Sequence, residues 1–328
     1  MVNAFESMLK SWIACSLRGL MGLALVAIVA CSPSPSLVVN PSLHAKGETF
    51  GYRQWISPAV DQDVVLIGIH GFCGASADYT NIGEHFLKHQ PETALYAYEL
   101  RGQGSDPIVA RRGDIGDPDE WYRDLLVFTQ MTRERHPDAK IIWFGESMGA
   151  LIAAHAWHKA PKDKPPCDGL ILSSPIVRFR DDIPAWTPGL VQAAATALPL
   201  ARISQEALMG GQEVQMTQDS FHGQQVKQNA YNVDEYTLRL IGALSGLIRG
   251  MNDCAEDIHG PVLVLHGGKD FFNTDADVRG FMARLPEETP ATYRNYPKAY
   301  HLLMHDAQKE RVFRDVEGWL NRLRKGRL

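Results

Sequence analysis

A serine framed by two glycines has the clearest chemical potential in this chain. Residues 145–149 read GESMG, directly after an apolar run that ends at Phe144 and before a stretch of small residues with helical character. The pattern Gly-x-Ser-x-Gly between a strand and a helix is typical of a sharp turn that lifts the serine above a sheet. Glycines fit at the flanking positions because side chains there would crowd the turn. We therefore predict that Ser147 is a nucleophile.

Two later residues have the types and positions that activation of a serine requires. A hydroxyl is a poor nucleophile without a base, and the base in turn needs an orienting acid. Asp270 follows an apolar run within the sequence GGKD, and His301 follows another within AYH. All three residues come at the carboxyl ends of predicted strands, the edge where open α/β sheets bind ligands. We predict His301 as the base and Asp270 as its orienting acid.

Other histidines and aspartates near these positions receive structural interpretations. His305 follows His301 by one helical turn and is expected inside the last helix, whereas His266 ends a strand and is expected to be a hydrogen-bonded structural histidine. Asp275 and Asp277 have the pattern of a helix start. A metal site is not expected, because His301 and His305 have no third ligand nearby in sequence.

The backbone offers donors for the oxyanion that attack on a carbonyl creates. Residues 70–74 read HGFCG and follow the strand predicted over residues 63–70. One donor comes from this type of loop and the other from the residue after the nucleophile, so we predict the N–H groups of Phe72 and Met148. Each such donor stabilises the transition state by about 3 kcal/mol. Cys73 beside them is interpreted as a small lining residue, with a reactive thiol as the alternative.

Alternating strands and helices must position these residues. Apolar runs of strand length alternate with stretches of helical periodicity over most of the chain. The pattern predicts an α/β fold with a mostly parallel sheet covered by helices on both faces. The strands are predicted at 63–70, 93–100, 140–144, 169–173, 261–266 and 292–296, and the helices at 77–90, 117–136, 148–159, 275–284 and 305–324.

One long stretch interrupts the alternation. Residues 176–253 are largely helical in pattern, and residues 185–203 within them read AWTPGLVQAAATALPLARI. We predict that they form a helical cap, or lid, inserted between the two core segments 48–175 and 254–328. An ordinary helical subdomain without a gating role is the alternative.

The N-terminal residues have the pattern of an export signal. Residues 19–30 read GLMGLALVAIVA, with Lys10 and Arg18 before them and Cys31 after them. A positive region, a short apolar core and small residues before a cut site predict a signal peptide over residues 1–30. The ending IVAC resembles the lipobox of bacterial lipoproteins. That resemblance implies a lipidated Cys31, a tether over residues 31–47 and a place in the bacterial envelope, at the outer membrane. An uncleaved signal anchor or a plain secretory signal are the alternatives.

Composition sets limits on partners. The formal net charge is −5 and positive residues form no stripe, so nucleic acid is not an expected partner. Cys167 and Cys254 precede strands that should be neighbours, and they either form a disulfide in an oxidising compartment or remain free thiols. The oligomeric state is not determined by these patterns.

The motifs together resemble one branch of the α/β-hydrolases. HGFCG, LRGQGSD, GESMG, GGKD and AYH are similar to those of monoacylglycerol lipases and lysophospholipases, from about Tyr52 onward. The resemblance implies the α/β-hydrolase fold, a Ser147–His301–Asp270 triad, an oxyanion hole at Phe72 and Met148, and hydrolysis of single-chain lipid esters without a cofactor. A small-ester carboxylesterase, a peptidase and a non-catalytic binding protein of the same fold are the alternatives.

Overall fold

The computed structural model describes residues 38–40, 50–208, 214–218 and 233–328. The predicted signal peptide and Cys31 lie outside the described residues. Val38–Asn40 fall inside the stretch predicted to be a tether, yet they form a strand that pairs with the sheet. Part of the predicted tether is therefore the edge of the folded domain.

A central sheet of eight strands organises the chain, in the order β1-β2-β4-β3-β5-β6-β9-β10. β2 runs antiparallel to both of its neighbours, and the strands from β4 to β10 are parallel to one another. The strands are β1 (Val38–Asn40), β2 (Phe50–Trp55), β3 (Val64–Ile69), β4 (Thr93–Tyr98), β5 (Lys140–Glu146), β6 (Gly169–Ser173), β9 (Val262–Gly267) and β10 (Ala291–Tyr296).

Helices cover both faces of this sheet. Along β3, Val65 and Ile67 belong to one apolar cluster, and Val64 and Leu66 belong to a second cluster on the opposite face. Successive side chains of a strand point to opposite faces, so a strand buried on both sides must be continuously apolar. The helices of the core are α1 (Thr80–His89), α2 (Asp119–Arg135), α3 (Met148–His158), α7 (Asp275–Met282) and α8 (Lys309–Arg324).

The predicted architecture is confirmed, with two additions at one edge. The six predicted strands are present and parallel to one another, and the predicted core helices are present with shifts of a few residues at their ends. The antiparallel β2 and the short β1 were not predicted. They extend the sheet beyond β4.

The insertion contains more than helices. Its described residues form α4 (Thr187–Ala197), β7 (Arg202–Ser204), α5 (Gln205–Leu208), β8 (Glu235–Thr237) and α6 (Leu238–Ala255). β7 and β8 pair as a small antiparallel sheet that the largely helical pattern did not predict. α6 packs on α3 of the core and on α4 of the cap. The long apolar segment leaves large side chains at the surface, namely those of Trp186, Leu190, Leu198 and Leu200.

The two cysteines for which the sequence left a disulfide open are not bonded to each other. Cys167 and Cys254 are both free and buried, and the thiol of Cys167 donates to the carbonyl of Gly169 at 3.3 Å. No disulfide therefore joins them.

Within the part of the chain that the structure describes, no helix is both long and apolar enough to cross a membrane.

The backbone of α3 packs so closely on β3 that one glycine of the helix has no room for a side chain. A Cβ atom at Gly149 would lie 1.8 Å from the carbonyl oxygen of Ile69, whereas one at Gly189, in α4, would meet nothing within 4 Å. We expect Gly149→Ala to lower the free energy of unfolding by about 3 kcal/mol or more, because the core must shift to admit the methyl group. Gly189→Ala is the matched control, and it should raise stability by up to about 1 kcal/mol. Urea titration of both variants tests this, and equal stabilities would contradict it.

Candidate active site

Ser147 lies in a strained turn between β5 and α3. Its backbone has φ 52° and ψ −118°, a left-handed conformation that residues with a side chain rarely adopt. A Cβ atom at Gly145 would lie 2.4 Å from the carbonyl oxygen of Gly149, so the first glycine of the motif permits the tight crossing. The Ser147 amide donates to the carbonyl of Ser173 at 2.9 Å. These backbone contacts fix the turn and lift the hydroxyl above the strand end.

The structure brings Ser147, His301 and Asp270 together in one hydrogen-bonded chain. His301 Nε2 lies 2.9 Å from the Oγ of Ser147, and His301 Nδ1 lies 2.7 Å from Oδ2 of Asp270. The three residues follow β5, β10 and β9, as the sequence predicted for their elements. An ionised Asp270 accepts from Nδ1–H, which leaves Nε2 as the acceptor for the serine proton. The arrangement can deprotonate the hydroxyl as it attacks a carbonyl.

Asp270 is kept charged in a nearly dry environment. Burial alone would raise its pKa, but the pKa is lowered because the charge and hydrogen bond of His301 and the amide of Phe272 favour the carboxylate. The Phe272 amide donates to Oδ1 at 2.7 Å. Each carboxylate oxygen therefore accepts a hydrogen bond, and the side chain of Asp270 is held in one orientation toward His301.

The His301 main chain has an anchor that sequence reasoning missed. The hydroxyl of Ser174, just after β6, donates to the carbonyl of His301 at 2.6 Å. Ser174 is itself left-handed, with φ 46°, and its amide donates to Leu265. Its sequence context, two serines before a proline, carries no signal that distinguishes it from an ordinary loop. We interpret Ser174 as a positioning residue for the base.

The loop after β3 lies against the serine. A Cβ atom at Gly71 would be only 3.2 Å from the Cβ of Ser147. His70 fixes this loop, because its Nδ1 donates to the carbonyl of Gly71 at 2.9 Å while its Nε2 accepts from the amide of Leu100 at 3.0 Å. Phe72 is thus in the loop next to Ser147, and Met148 is the first residue of α3. Their roles as oxyanion donors stay a prediction.

The thiol of Cys73 is not an activated one. Burial raises its pKa to about 12, and the hydrogen bond from Tyr236 opposes that shift only in part. Nucleophilic cysteines have lowered pKa values instead. The geometry thus favours the interpretation of Cys73 as a lining residue over the alternative of a reactive thiol.

The rival residues do not join the hydrogen-bonded chain. The prediction that His305 lies in the last helix was wrong, because it ends a short 3-10 turn before α8 and its Nδ1 lies 3.3 Å from Asn81. His266 is buried with Nδ1 3.9 Å from the Asp270 carboxylate, and neither ring nitrogen has a hydrogen-bond partner among the described residues. The expectation of a hydrogen-bonded His266 was therefore wrong.

The remaining acidic candidates have structural roles. Asp275 begins α7, as predicted, and Asp277 exchanges hydrogen bonds with Thr274 in a capping box. Over the described ranges, no three histidine, cysteine or acidic side chains are grouped closely enough to hold a metal ion.

A polar cleft of about 490 Å³ lies beside Asp270. Its two arginines are already paired: Arg178 with Asp277 at 2.8 Å, and Arg180 with Asp182 at 2.6 Å. Four aspartates against two arginines give the cleft a net negative charge. Its lining comprises Arg178, Arg180, Asp181, Asp182, Asp270, Phe271, Phe272, Asn273, Thr274 and Asp277.

The sheet order and the serine at the turn after β5 define an α/β-hydrolase. The chain belongs to the family described as serine aminopeptidase, S33, whose sequence model matches residues 61–308. A monoacylglycerol lipase of Mycolicibacterium smegmatis is 25% identical over 281 residues, which cover 82% of this chain and 91% of that protein.

Solved structures share the fold. A monoglyceride lipase from Saccharomyces cerevisiae superimposes with a TM-score of 0.75 at 18% identity, covering 89% of this chain and 97% of its own. A monoacylglycerol lipase from Paleococcus ferrophilus gives 0.68 at 19% identity, with 83% and 98% covered. A carboxyl esterase from Bacillus coagulans gives 0.73 at 14% identity, with 89% and 99% covered. These similarities show the fold, which lipases and esterases have in common.

Burial of histidines beneath the site predicts a pH dependence of stability. Burial lowers the pKa of His70 below the ordinary histidine value of about 6.5, so the folded state stays unprotonated where the unfolded state takes up a proton. Stability should therefore fall as pH drops below 6.5, by at most about 1.4 kcal/mol per pH unit for each such histidine. Burial lowers the pKa values of His155 and His266 likewise.

Substitution of His70 isolates its contribution to the pH dependence of stability. Between pH 7.5 and 5.5, His70→Gln should lose less free energy of unfolding than the wild type in urea titrations. His259→Gln is the control, since that side chain is 41% exposed, and it should keep the wild-type slope. Equal slopes in all three proteins would contradict the prediction.

Proposed function

We propose that this protein is a serine ester hydrolase that acts on monoacylglycerols through an acyl-enzyme. The observation that carries the proposal is the continuous hydrogen-bonded chain from Ser147 through His301 to Asp270, in a member of a serine hydrolase family. The 25% identity to a monoacylglycerol lipase over most of both chains supports the substrate class.

The geometry supports a two-step mechanism. His301 Nε2 takes the proton of Ser147 as Oγ attacks the ester carbonyl, and the carboxylate of Asp270 stabilises the imidazolium that forms. The N–H groups of Phe72 and Met148 stabilise the oxyanion. The imidazolium then protonates the leaving glycerol oxygen. Water enters, gives its proton to His301 and releases the fatty acid, so that Ser147 regains its proton.

We propose that the substrate head group lies in the cleft that Asp270 borders, where the charge of the lining favours a neutral group. Both arginines there are engaged by aspartates, and the net charge is negative. A phosphate group would meet repulsion that a glycerol group would not, since like charges disfavour association. Of the two lipid classes that the sequence suggested, the described residues therefore favour monoacylglycerol over lysophospholipid.

The surface of the cap is consistent with a substrate that collects in aggregates. Trp186, Leu190, Leu198 and Leu200 are each 58–65% exposed on one short part of the cap. We propose that these side chains together form a surface that contacts an apolar partner, as contiguous exposed apolar patches do. A dispersed lipid is the partner that fits the proposed reaction.

A small-ester carboxylesterase is the second candidate, because the carboxyl esterase of B. coagulans has the same fold. The description of the family itself adds an aminopeptidase. A binding protein with an inactive site completes the alternatives. Each of these alternative functions predicts a different result in one set of assays.

The experiment compares esters of increasing acyl length with Ser147→Ala. We expect hydrolysis of 1-monoacylglycerols and p-nitrophenyl esters with an optimum at long rather than acetyl chains, because each buried CH2 group contributes about 0.8 kcal/mol to binding. Ser147→Ala should lower kcat by about 10⁴-fold or more, because the nucleophile is lost. Ser57→Ala is the control, because the Ser57 hydroxyl accepts from the nearby Ala59 amide and lies outside the proposed triad.

Each alternative has its own outcome. An acetyl-ester optimum would assign the protein to the small-ester carboxylesterases, and turnover of aminoacyl nitroanilides alone would make it a peptidase. Absence of labelling by a fluorophosphonate probe would show that Ser147 is not activated and would leave only a binding role.

We also propose that the mature protein is anchored by lipid on Cys31 at the bacterial outer membrane. The support is the sequence of residues 19–31, an apolar run with small residues before a cysteine.

Metabolic labelling tests the anchor. Cells fed a radiolabelled fatty acid should label the wild-type protein, which should partition into detergent and sediment with outer membranes. Cys31→Ala should lose the label, because it has no thiol to modify, whereas Cys15→Ala should keep it. Label retained in Cys31→Ala would contradict the proposal.

A further inference from the structure

The loop that contains Phe72 is in contact with the cap as well as with the core. The rings of Phe72 and Tyr236 have centroids 4.4 Å apart at an interplanar angle of 40°. The Tyr236 hydroxyl donates to the sulfur of Cys73 at 3.2 Å. Tyr236 lies on β8 of the cap and is fully buried. One cap side chain thus contacts two successive residues of this loop.

The core holds the same loop from the other side. The amide of Cys73 donates to Oε1 of Gln103 at 3.1 Å, and Cys73 has the left-handed φ of 62°. The carbonyl of Gly71 accepts from the amide of Gly74 at 3.1 Å. These bonds engage the polar backbone groups on either side of Phe72. The ring of Phe72 packs against the buried apolar cluster that includes Tyr236, and Tyr236 contributes an aromatic ring in direct contact with it.

Tyr236 is itself firmly placed against the core. The next residue, Thr237, donates from its amide to the carbonyl of Gly113 at 2.8 Å and from its hydroxyl to Asp114 at 2.7 Å. Nε of Arg239 reaches the same carboxylate at 2.6 Å. These bonds fix the start of α6 on the loop after β4. Tyr236 is therefore held at a fixed point where the cap meets the core.

We propose that Tyr236 is a positioning residue for the oxyanion hole, acting through Phe72 and Cys73 to aim the Phe72 N–H at the reacting carbonyl oxygen. This role rests on the proposed esterase function. The hydrogen bond of an oxyanion donor weakens steeply with angle, and removal of one donor costs about 10²–10³ in kcat. A ring that prevents rotation of Phe72 keeps that bond aligned. The cap thereby contributes to transition-state stabilisation.

The test compares two substitutions at this position. Tyr236→Phe removes only the hydroxyl, and Tyr236→Leu also removes the aromatic contact. We expect kcat for a p-nitrophenyl ester to fall about 10-fold in Tyr236→Leu, a fraction of the loss of a whole donor. In Tyr236→Phe it should fall by less than about 3-fold, since the ring contact remains. KM should stay within about 2-fold in both variants, because ground-state binding is not involved.

The affinity for a transition-state analogue distinguishes a positioning role of Tyr236 from a purely structural one, which would leave this affinity unchanged. Affinity for an alkyl trifluoromethyl ketone, which forms a tetrahedral adduct with the serine, should weaken in proportion to the loss of kcat/KM. Tyr293→Phe is the matched control, because its hydroxyl binds Asp275 outside the triad and the oxyanion loop, and it should match the wild type in both measurements.

Two contrary outcomes are distinguishable. Unchanged kcat and unchanged analogue affinity in a folded Tyr236→Leu, with or without a change in KM or thermal stability, would overturn the positioning role while leaving the esterase function intact. A wild-type protein that neither hydrolyses esters nor reacts with a fluorophosphonate would instead overturn the proposed function, and with it the role of Tyr236.

Discussion

The left-handed turn at Ser147 is the constraint on which the site depends. A serine in this conformation is unfavourable by itself, so the surrounding backbone must hold it there. The close approach of Gly149 to the carbonyl of Ile69 and the bond from the Ser147 amide to Ser173 provide that hold. Both contacts come from the strands on either side of β5. The position of Ser147 is therefore set by the backbone of the sheet.

Burial of the hydrogen-bonded chain has a second physical effect. Ser147 is 7% exposed and His301 is fully buried, so the bonds between them form in a medium of low polarity where each is electrostatically stronger than in water. The same medium would raise the pKa of Asp270 if His301 and the Phe272 amide did not stabilise its charge. Orientation and ionisation are linked, because the hydrogen bonds that hold the Asp270 carboxylate toward His301 also keep it charged.

Local patterns predicted most of the fold because parallel strands are short apolar runs and the catalytic candidates follow them directly. β2 was missed because Arg53 interrupts its apolar pattern. That charge is paired at 3.1 Å with the buried Glu99, 46 residues away, a partner that no local pattern reveals. Ser174 and Tyr236 were missed for the same reason, since each acts through a contact with a distant segment. β7 and β8 are three residues each, too short to give a periodic signal.

The placement of His301 after β10 has a consequence for how the protein is made. β10 forms one edge of the sheet and pairs only with β9, and His301 meets Ser147 across 154 residues of sequence. Contacts this distant form late, after the chain between them has been synthesised and folded. A nascent chain that has already built β3, β5 and the serine turn therefore lacks the hydrogen bond between Ser147 and His301. That bond forms only when the final strand docks, so an assembled site reports that folding is complete.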